Sequence, residues 1–117
     1  LAHAVMDALL GAAALGDIGK HFPDTDPAYA GADSLQLMAH VARILKEHGY
    51  TVENVDATIL CQKPKLAPYI EDMRANMAKV LGIEIGRMSV KATTEEHLGF
   101  TGQGLGIAVH SVALLQG

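Results

Sequence analysis

Four groups of residues in this chain have types and spacings that could do chemistry. His3 and Asp7 stand four apart in a segment that reads as helix, so they share a face. Such a pair is either a histidine hydrogen-bonded to a nearby carboxylate or a zinc-binding imidazole whose ring a carboxylate orients. The second group is GDIGKHFPDTD, residues 16–26, which holds two Gly, three Asp, a Lys, a His and a Pro. It is either a solvated, turn-rich loop or a functional one, because long connections in small domains often carry binding residues.

The third group, Cys61, Gln62, Lys63, Pro64, Lys65, Leu66 and Ala67, passes from a strand end into a helix start. Sheets with βαβ units favour ligands at strand carboxyl ends, and helix N-termini attract phosphate. The plain alternative is an ordinary strand-to-helix turn. The fourth runs from Lys91 to Phe100. Thr93 and Glu96 fit a capping box there. They equally fit a phosphate site in which a Thr hydroxyl and backbone N–H groups hold the anion and a Glu binds Mg²⁺. The sequence contains no P-loop, dinucleotide fingerprint, paired-cysteine zinc site or serine nucleophile elbow.

The elements that position these groups follow from apolar periodicity. Val5, Met6, Leu9, Leu10 and Ala13 predict a helix over 2–15, with Gly16 as its stop. Residues 16–32 read as a long connection. Asp33 reads as an N-cap with Gln36 at the capping-box position, and Leu35, Met38, Val41, Ala42 and Leu45 stripe a helix that runs to His48 and stops at Gly49. Alternation of Val52, Val55, Ala57, Ile59 and Cys61 predicts a strand over 50–62. Ile70, Met73, Met77, Val80 and Leu81 predict a helix over 66–81, followed by a strand at 85–92, a polar loop at 93–104 and a strand at 105–115.

Strand, helix, strand over 50–92 is a βαβ unit with parallel strands. The last two strands are expected to pair as an antiparallel hairpin. The fold class is α+β, with a mixed sheet and helices on one face. A chain of 117 residues suits one domain, and half of its residues are apolar, which supplies a core. No apolar run reaches the ~20 residues of a membrane-spanning helix. Net charge is −4 with scattered Lys and Arg, which disfavours nucleic acid and anionic membranes as partners. A phosphorylated ligand would need metals or backbone N–H groups for much of its neutralisation. A single cysteine excludes an intrachain disulfide and suits a reducing compartment. Because the chain opens at Leu1 within or just before a helix, further N-terminal sequence is expected.

Singly these signals are weak, but their order is specific. His3-Ala4, then DALLGAAALGDIG from Asp7 to Gly19, FPDTD from Phe22 to Asp26, Gly31-Ala-Asp33-Ser34, Gly49-Tyr50, Asn54-Val-Asp56, Gln62, Pro64-Lys65, VKATT from Val90 to Thr94, Glu96, and LGFTG from Leu98 to Gly102 run through the whole chain. In this combination the sequence resembles the 2-C-methyl-D-erythritol 2,4-cyclodiphosphate synthase family. The resemblance implies one synthase domain over 1–117, lacking its N-terminal strands, with a ferredoxin-like sheet, in a homotrimer whose active sites lie between subunits. It implies a location in the bacterial cytoplasm or the plastid stroma.

It also implies the reaction. The 2-phosphate of 4-diphosphocytidyl-2-C-methyl-D-erythritol 2-phosphate attacks the diphosphate phosphorus nearer the sugar alcohol, CMP leaves, and a cyclic diphosphate forms. The substrate supplies its own nucleophile, so none is needed from the protein. What remains is to fold the substrate, align in-line attack and neutralise charge, with Zn²⁺ and Mg²⁺ or Mn²⁺ as cofactors.

By the same resemblance His3 is one zinc ligand, while the family's Asp-x-His zinc pair has no counterpart in this chain. Asp17, Ile18 and Gly19 hold the methylerythritol part. Phe22, Pro23, Asp24, Thr25 and Asp26 form a lid over it. Cys61 to Ala67 contact cytidine, largely through backbone. Thr93, Thr94, Glu95 and Glu96 form the phosphate site, with Thr94 stabilising the transition state and Glu96 binding Mg²⁺ or Mn²⁺. Phe100 and Gln103 complete the substrate-binding set. Gln103 and His110 stand where the family often has Arg and Glu, near a central apolar cavity, and this departure predicts weaker binding of isoprenoid diphosphates there. Two other readings stand beside the synthase: a non-catalytic trimeric module that binds a cytidine nucleotide, and a phosphate-ester hydrolase, which would need a general base that the sequence does not reveal.

Overall fold

The computed structural model describes residues 1–21, 34–60, 67–93 and 108–117. The elements are α1 (Ala2–Ala12), α2 (Ile18–His21), α3 (Ser34–Glu47), β1 (Thr51–Leu60), α4 (Ala67–Leu81), a 3₁₀ turn (Ile85–Arg87), β2 (Met88–Thr93) and β3 (Ala108–Gln116). The three strands form one mixed sheet in the order β2-β1-β3. β1 runs parallel to β2 and antiparallel to β3.

The expected hairpin of the last two strands does not form; β3 pairs with β1 instead. The reason lies in β1, whose Val55, Ala57 and Ile59 are all buried, so that this strand belongs in the centre. The polar, exposed Ser89 and Lys91 suit β2 to an edge. Residues 94–107 make a connection longer than a tight hairpin, long enough to cross one strand at ~5 Å per spacing.

A register shift between Val52 and Asn54 marks a bulge in β1. It explains why Val52 and Val55 both face the core although they differ in parity: the extra residue resets the alternation. The covered face is completed by Val109, Ala113 and Leu115 of β3 and Met88 and Val90 of β2. On the opposite face Asp56, Lys91 and His110 meet solvent, together with Val112 at 70% and Leu114 at 64% exposure.

Helix α1 packs chiefly on β3, α4 on β2, and α3 contacts both α1 and α4. Their apolar stripes meet in a single core that includes Met6, Leu9, Leu10, Leu37, Met38, Val41, Leu45 and Met77. Arg74 of α4 fastens this layer to the sheet. Its Nε donates to the Met88 carbonyl, and its Nη2 donates to the Ile85 carbonyl at 3.1 Å. Those bonds hold residues 85–87 as a 3₁₀ turn where strand was expected, so β2 begins at Met88.

Helix α1 ends at Ala12, four residues before Gly16 and short of the expected end at residue 15. The Leu15 N–H donates to the Leu10 carbonyl at 2.9 Å and the Ala14 N–H to the Gly11 carbonyl at 3.0 Å. This pair of bonds is a Schellman closure, and it places Ala14 at φ 58, the position that usually takes glycine. The other two long helices close the same way at Gly49 and Gly82. The Asp33 N-cap lies outside the described residues.

Candidate active site

Two regions of the fold carry those sequence-predicted residues that the structure describes. The first is the turn behind α1. Ala14 and Gly16, the latter at φ 92, reverse the chain so that α2 folds back along α1. A four-residue helix has no periodicity to betray it, so a short helix stands here within the connection expected over 16–32. Asp17 caps it: the Lys20 N–H donates to Asp17 Oδ1 at 2.9 Å. Asp7 Oδ1 accepts the Ile18 N–H at 2.8 Å, across eleven positions of sequence. Ile18 is buried beneath the turn. His21 Nε2 lies 2.7 Å from the Leu15 carbonyl oxygen, which can only accept, so the ring donates there.

Asp7 therefore serves the turn rather than the ring of His3; among the described residues no hydrogen bond joins the two. His3 is exposed on the first turn of α1, one helical turn from Asp7. The bond from Asp7 thus brings the Asp17–Ile18 peptide to the face of α1 that carries His3. The signal available in the sequence was Asp17 three residues ahead of Lys20 behind a helix stop, an N-cap spacing without an apolar run to support it. Gly19 lies exposed beside Asp17, and a side chain at Gly19 would meet Asp17 Oδ1 at 3.4 Å.

The second region is the carboxyl edge of the parallel strands. Leu60 ends β1, Thr93 ends β2, and the two are register partners. The segments that follow them, 61–66 and 94–107, thus depart from adjacent strand ends, and α4 begins at Ala67. This is the geometry in which a βαβ unit presents strand ends and a helix N-terminus to one ligand. Thr93 is exposed and is the last strand residue rather than the first loop residue. Phe22, Pro23, Asp24, Thr25, Asp26, Cys61, Gln62, Lys63, Pro64, Lys65, Leu66, Thr94, Glu95, Glu96, Phe100 and Gln103 lie outside the described residues.

The open face of the sheet leads to this edge. Lys91 Nζ sits 2.7 Å from Asp56 Oδ1, and the bond holds the Asp56 carboxyl below its ordinary range. His110 is exposed opposite Thr58. Among the described residues no three His, Cys, Asp or Glu side chains converge as a metal site. His3 alone is one donor, and a catalytic zinc takes three from protein. A cleft of about 510 Å³ opens at the other end of β1, lined by Arg43, Lys46, Tyr50 and Ile83 among others. It contains none of the predicted residues. No helix among the described residues is long and apolar enough to cross a membrane.

Comparison with known proteins matches this arrangement of sequence and fold. The YgbB family profile covers residues 1–116. A Trichlorobacter lovleyi protein named 2-C-methyl-D-erythritol 2,4-cyclodiphosphate synthase is 61% identical over 98% of this chain and 73% of its own length. A Pseudomonas aeruginosa protein of the same name is 64% identical over 98% of this chain and 73% of its own length. Among solved structures, the bifunctional IspDF of Campylobacter jejuni superposes with a TM-score of 0.90 at 43% identity, over 98% of this chain and 31% of that one. The Plasmodium falciparum IspF complex with CDP gives 0.83 at 29% identity, over 97% of this chain and 68% of that one. By the extent of the family profile and by identities above 60%, this chain belongs to the YgbB family of 2-C-methyl-D-erythritol 2,4-cyclodiphosphate synthases.

Proposed function

We propose that this protein cyclises 4-diphosphocytidyl-2-C-methyl-D-erythritol 2-phosphate to 2-C-methyl-D-erythritol 2,4-cyclodiphosphate with release of CMP, a phosphorus–oxygen lyase reaction. The observation that carries this reading is the 61–64% identity to proteins of that name along nearly the whole chain. A relative with CDP bound supports a cytidine-diphosphate ligand. The substrate's own 2-phosphate is the nucleophile. The phosphorus–oxygen bond to the sugar alcohol's 4-phosphate is kept, the bond to CMP breaks, and CMP departs with the bridging oxygen.

In this reading Asp17 accepts hydrogen bonds from the hydroxyls of the methylerythritol, and Gly19 lets backbone approach them. Its support is a carboxylate held rigidly by its own cap on an exposed turn. Cys61 to Ala67 hold cytidine through backbone groups, and Thr93 to Glu96 hold the phosphates, supported by the adjacency of Leu60 and Thr93. Thr94 donates to the phosphoryl oxygens as charge builds on them. Phe22 to Asp26 close over the sugar, and Phe100 and Gln103 contact substrate.

The proposed cofactors are Zn²⁺, with His3 as one ligand, and Mg²⁺ or Mn²⁺ on Glu96. The described residues supply one donor toward zinc, which does not make a site, so no step is assigned to it. When bound, such cations neutralise phosphate charge. We place the described layers within a ferredoxin-like sheet in a homotrimer. The exposed Val112 and Leu114 on the uncovered sheet face support burial between subunits.

The test is incubation of full-length protein with the substrate and Mg²⁺, followed by phosphorus NMR. CMP and a cyclic diphosphate in equal amounts are expected. Tight CMP binding without turnover would favour the nucleotide-binding module, and a linear phosphate product would favour a hydrolase.

A further inference from the structure

We infer that Asp7 is a positioning residue for Asp17, acting through the Ile18 peptide; the inference rests on the synthase reading and extends it to a residue with no assigned part. Three observations carry it. Asp7 Oδ1 accepts the Ile18 N–H at 2.8 Å in a half-buried setting, and this N–H is joined to the carbonyl carbon of Asp17. Asp17 Oδ1 is turned inward onto the Lys20 N–H at 2.9 Å. The turn that carries both is entered through two residues with positive φ, Ala14 and Gly16, a backbone that needs outside contacts to stay in one conformation.

The consequence is geometric. A helix of four residues does not hold itself together, because nucleation outweighs its few hydrogen bonds. Asp7 sits on the eleven-residue α1, whose Val5, Met6, Leu9 and Leu10 are fully buried. Its carboxylate transfers the rigidity of α1 to the turn, and the buried Ile18 side chain fixes the other side. With Oδ1 of Asp17 committed to its cap, the second oxygen is the one presented to a vicinal pair of hydroxyls. Without Asp7 the Ile18 N–H loses its acceptor, the turn samples other orientations, and the diol meets a carboxylate that must first be ordered.

The test compares full-length variants by steady-state kinetics and by CMP binding. Asp7→Ala is expected to raise KM for the substrate about ten-fold, the effect of one lost hydrogen bond, with kcat within about two-fold. The affinity for CMP alone stays unchanged, because CMP lacks the sugar alcohol. Asp7→Asn keeps an Oδ1 acceptor and is expected to bring KM back toward that of the parent. Ile18→Pro removes the donor from the other partner at the first helical position, where proline is tolerated, and is expected to reproduce the rise in KM. A KM unchanged in both Asp7→Ala and Ile18→Pro overturns the inference, as does Asp7→Asn being as damaging as Asp7→Ala. A parent protein that forms no cyclic product refutes the synthase reading itself, a result separable from either.

Discussion

Leu60 and Thr93 are register partners at the carboxyl ends of two parallel strands. One bonded pair thus roots both the segment expected to hold cytidine and the segment expected to hold phosphate. Thr94 follows β2 in the sequence, and the proposed function gives it the phosphoryl oxygens as its partners. Thr94→Ala is predicted to lower kcat by about 10²–10³ while leaving KM within a few-fold, as loss of a transition-state donor does. Rapid-quench measurement of CMP release checks this. A variant with unchanged kcat would remove Thr94 from the mechanism.

Ala14 occupies the left-handed position of a Schellman closure at φ 58 and is exposed. The methyl group costs energy there that glycine does not. Ala14→Gly is predicted to stabilise the fold by about 0.5–1 kcal/mol, seen as a rise of a few degrees in Tm. A lower Tm would show that the backbone at this position relaxes in solution.

The larger part of the fold was legible in the sequence. The stripes of α1, α3 and α4 named most of the helical core because burial and helical period coincide, missing Leu37 and Ala78, and the β-branched alternation of β1 was clear despite its bulge. The parallel pairing of β1 with β2 was legible from the βαβ unit, but the partner of β3 was not. Val109, Ser111 and Ala113 read the same whether they lie beside β2 or β1, and only the assembled sheet decides. The short α2 escaped because its stability comes from Asp7 and Asp17 side chains, not from a pattern of its own. In the candidate site, residue types suggested four places in outline. Their joint meaning came from order along the chain, since no single motif is specific.

Arg74 bonds two carbonyls, of Met88 and Ile85, and its side chain is 26% exposed. Arg74→Met leaves both acceptors without this donor and is predicted to cost about 1–3 kcal/mol in urea unfolding. Its pairing with Glu71, which is 71% exposed, contributes little, so Glu71→Ala is predicted to cost below about 0.5 kcal/mol. Equal losses in the two variants would contradict this division.

The Asp56–Lys91 pair gives a pH dependence. Lys91 holds the folded Asp56 pKa below its unfolded value, so the pair stabilises the fold above the ordinary carboxylate range. That contribution is lost as pH falls through the lowered folded value. Both side chains are well exposed, at 43% and 56%, and solvent screening limits the effect to below about 1 kcal/mol. Asp56→Asn is predicted to be slightly less stable than the parent at pH 7 and equal to it in strong acid. A difference that grows on acidification would reverse the assignment.

The central claim is that the substrate's own phosphate, not water, attacks the diphosphate. Turnover of the full-length protein in ¹⁸O-labelled water tests it most directly, with mass spectrometry of both products. The account predicts unlabelled CMP and an unlabelled cyclic diphosphate. One labelled oxygen in either product's phosphate would make water the nucleophile and the protein a hydrolase.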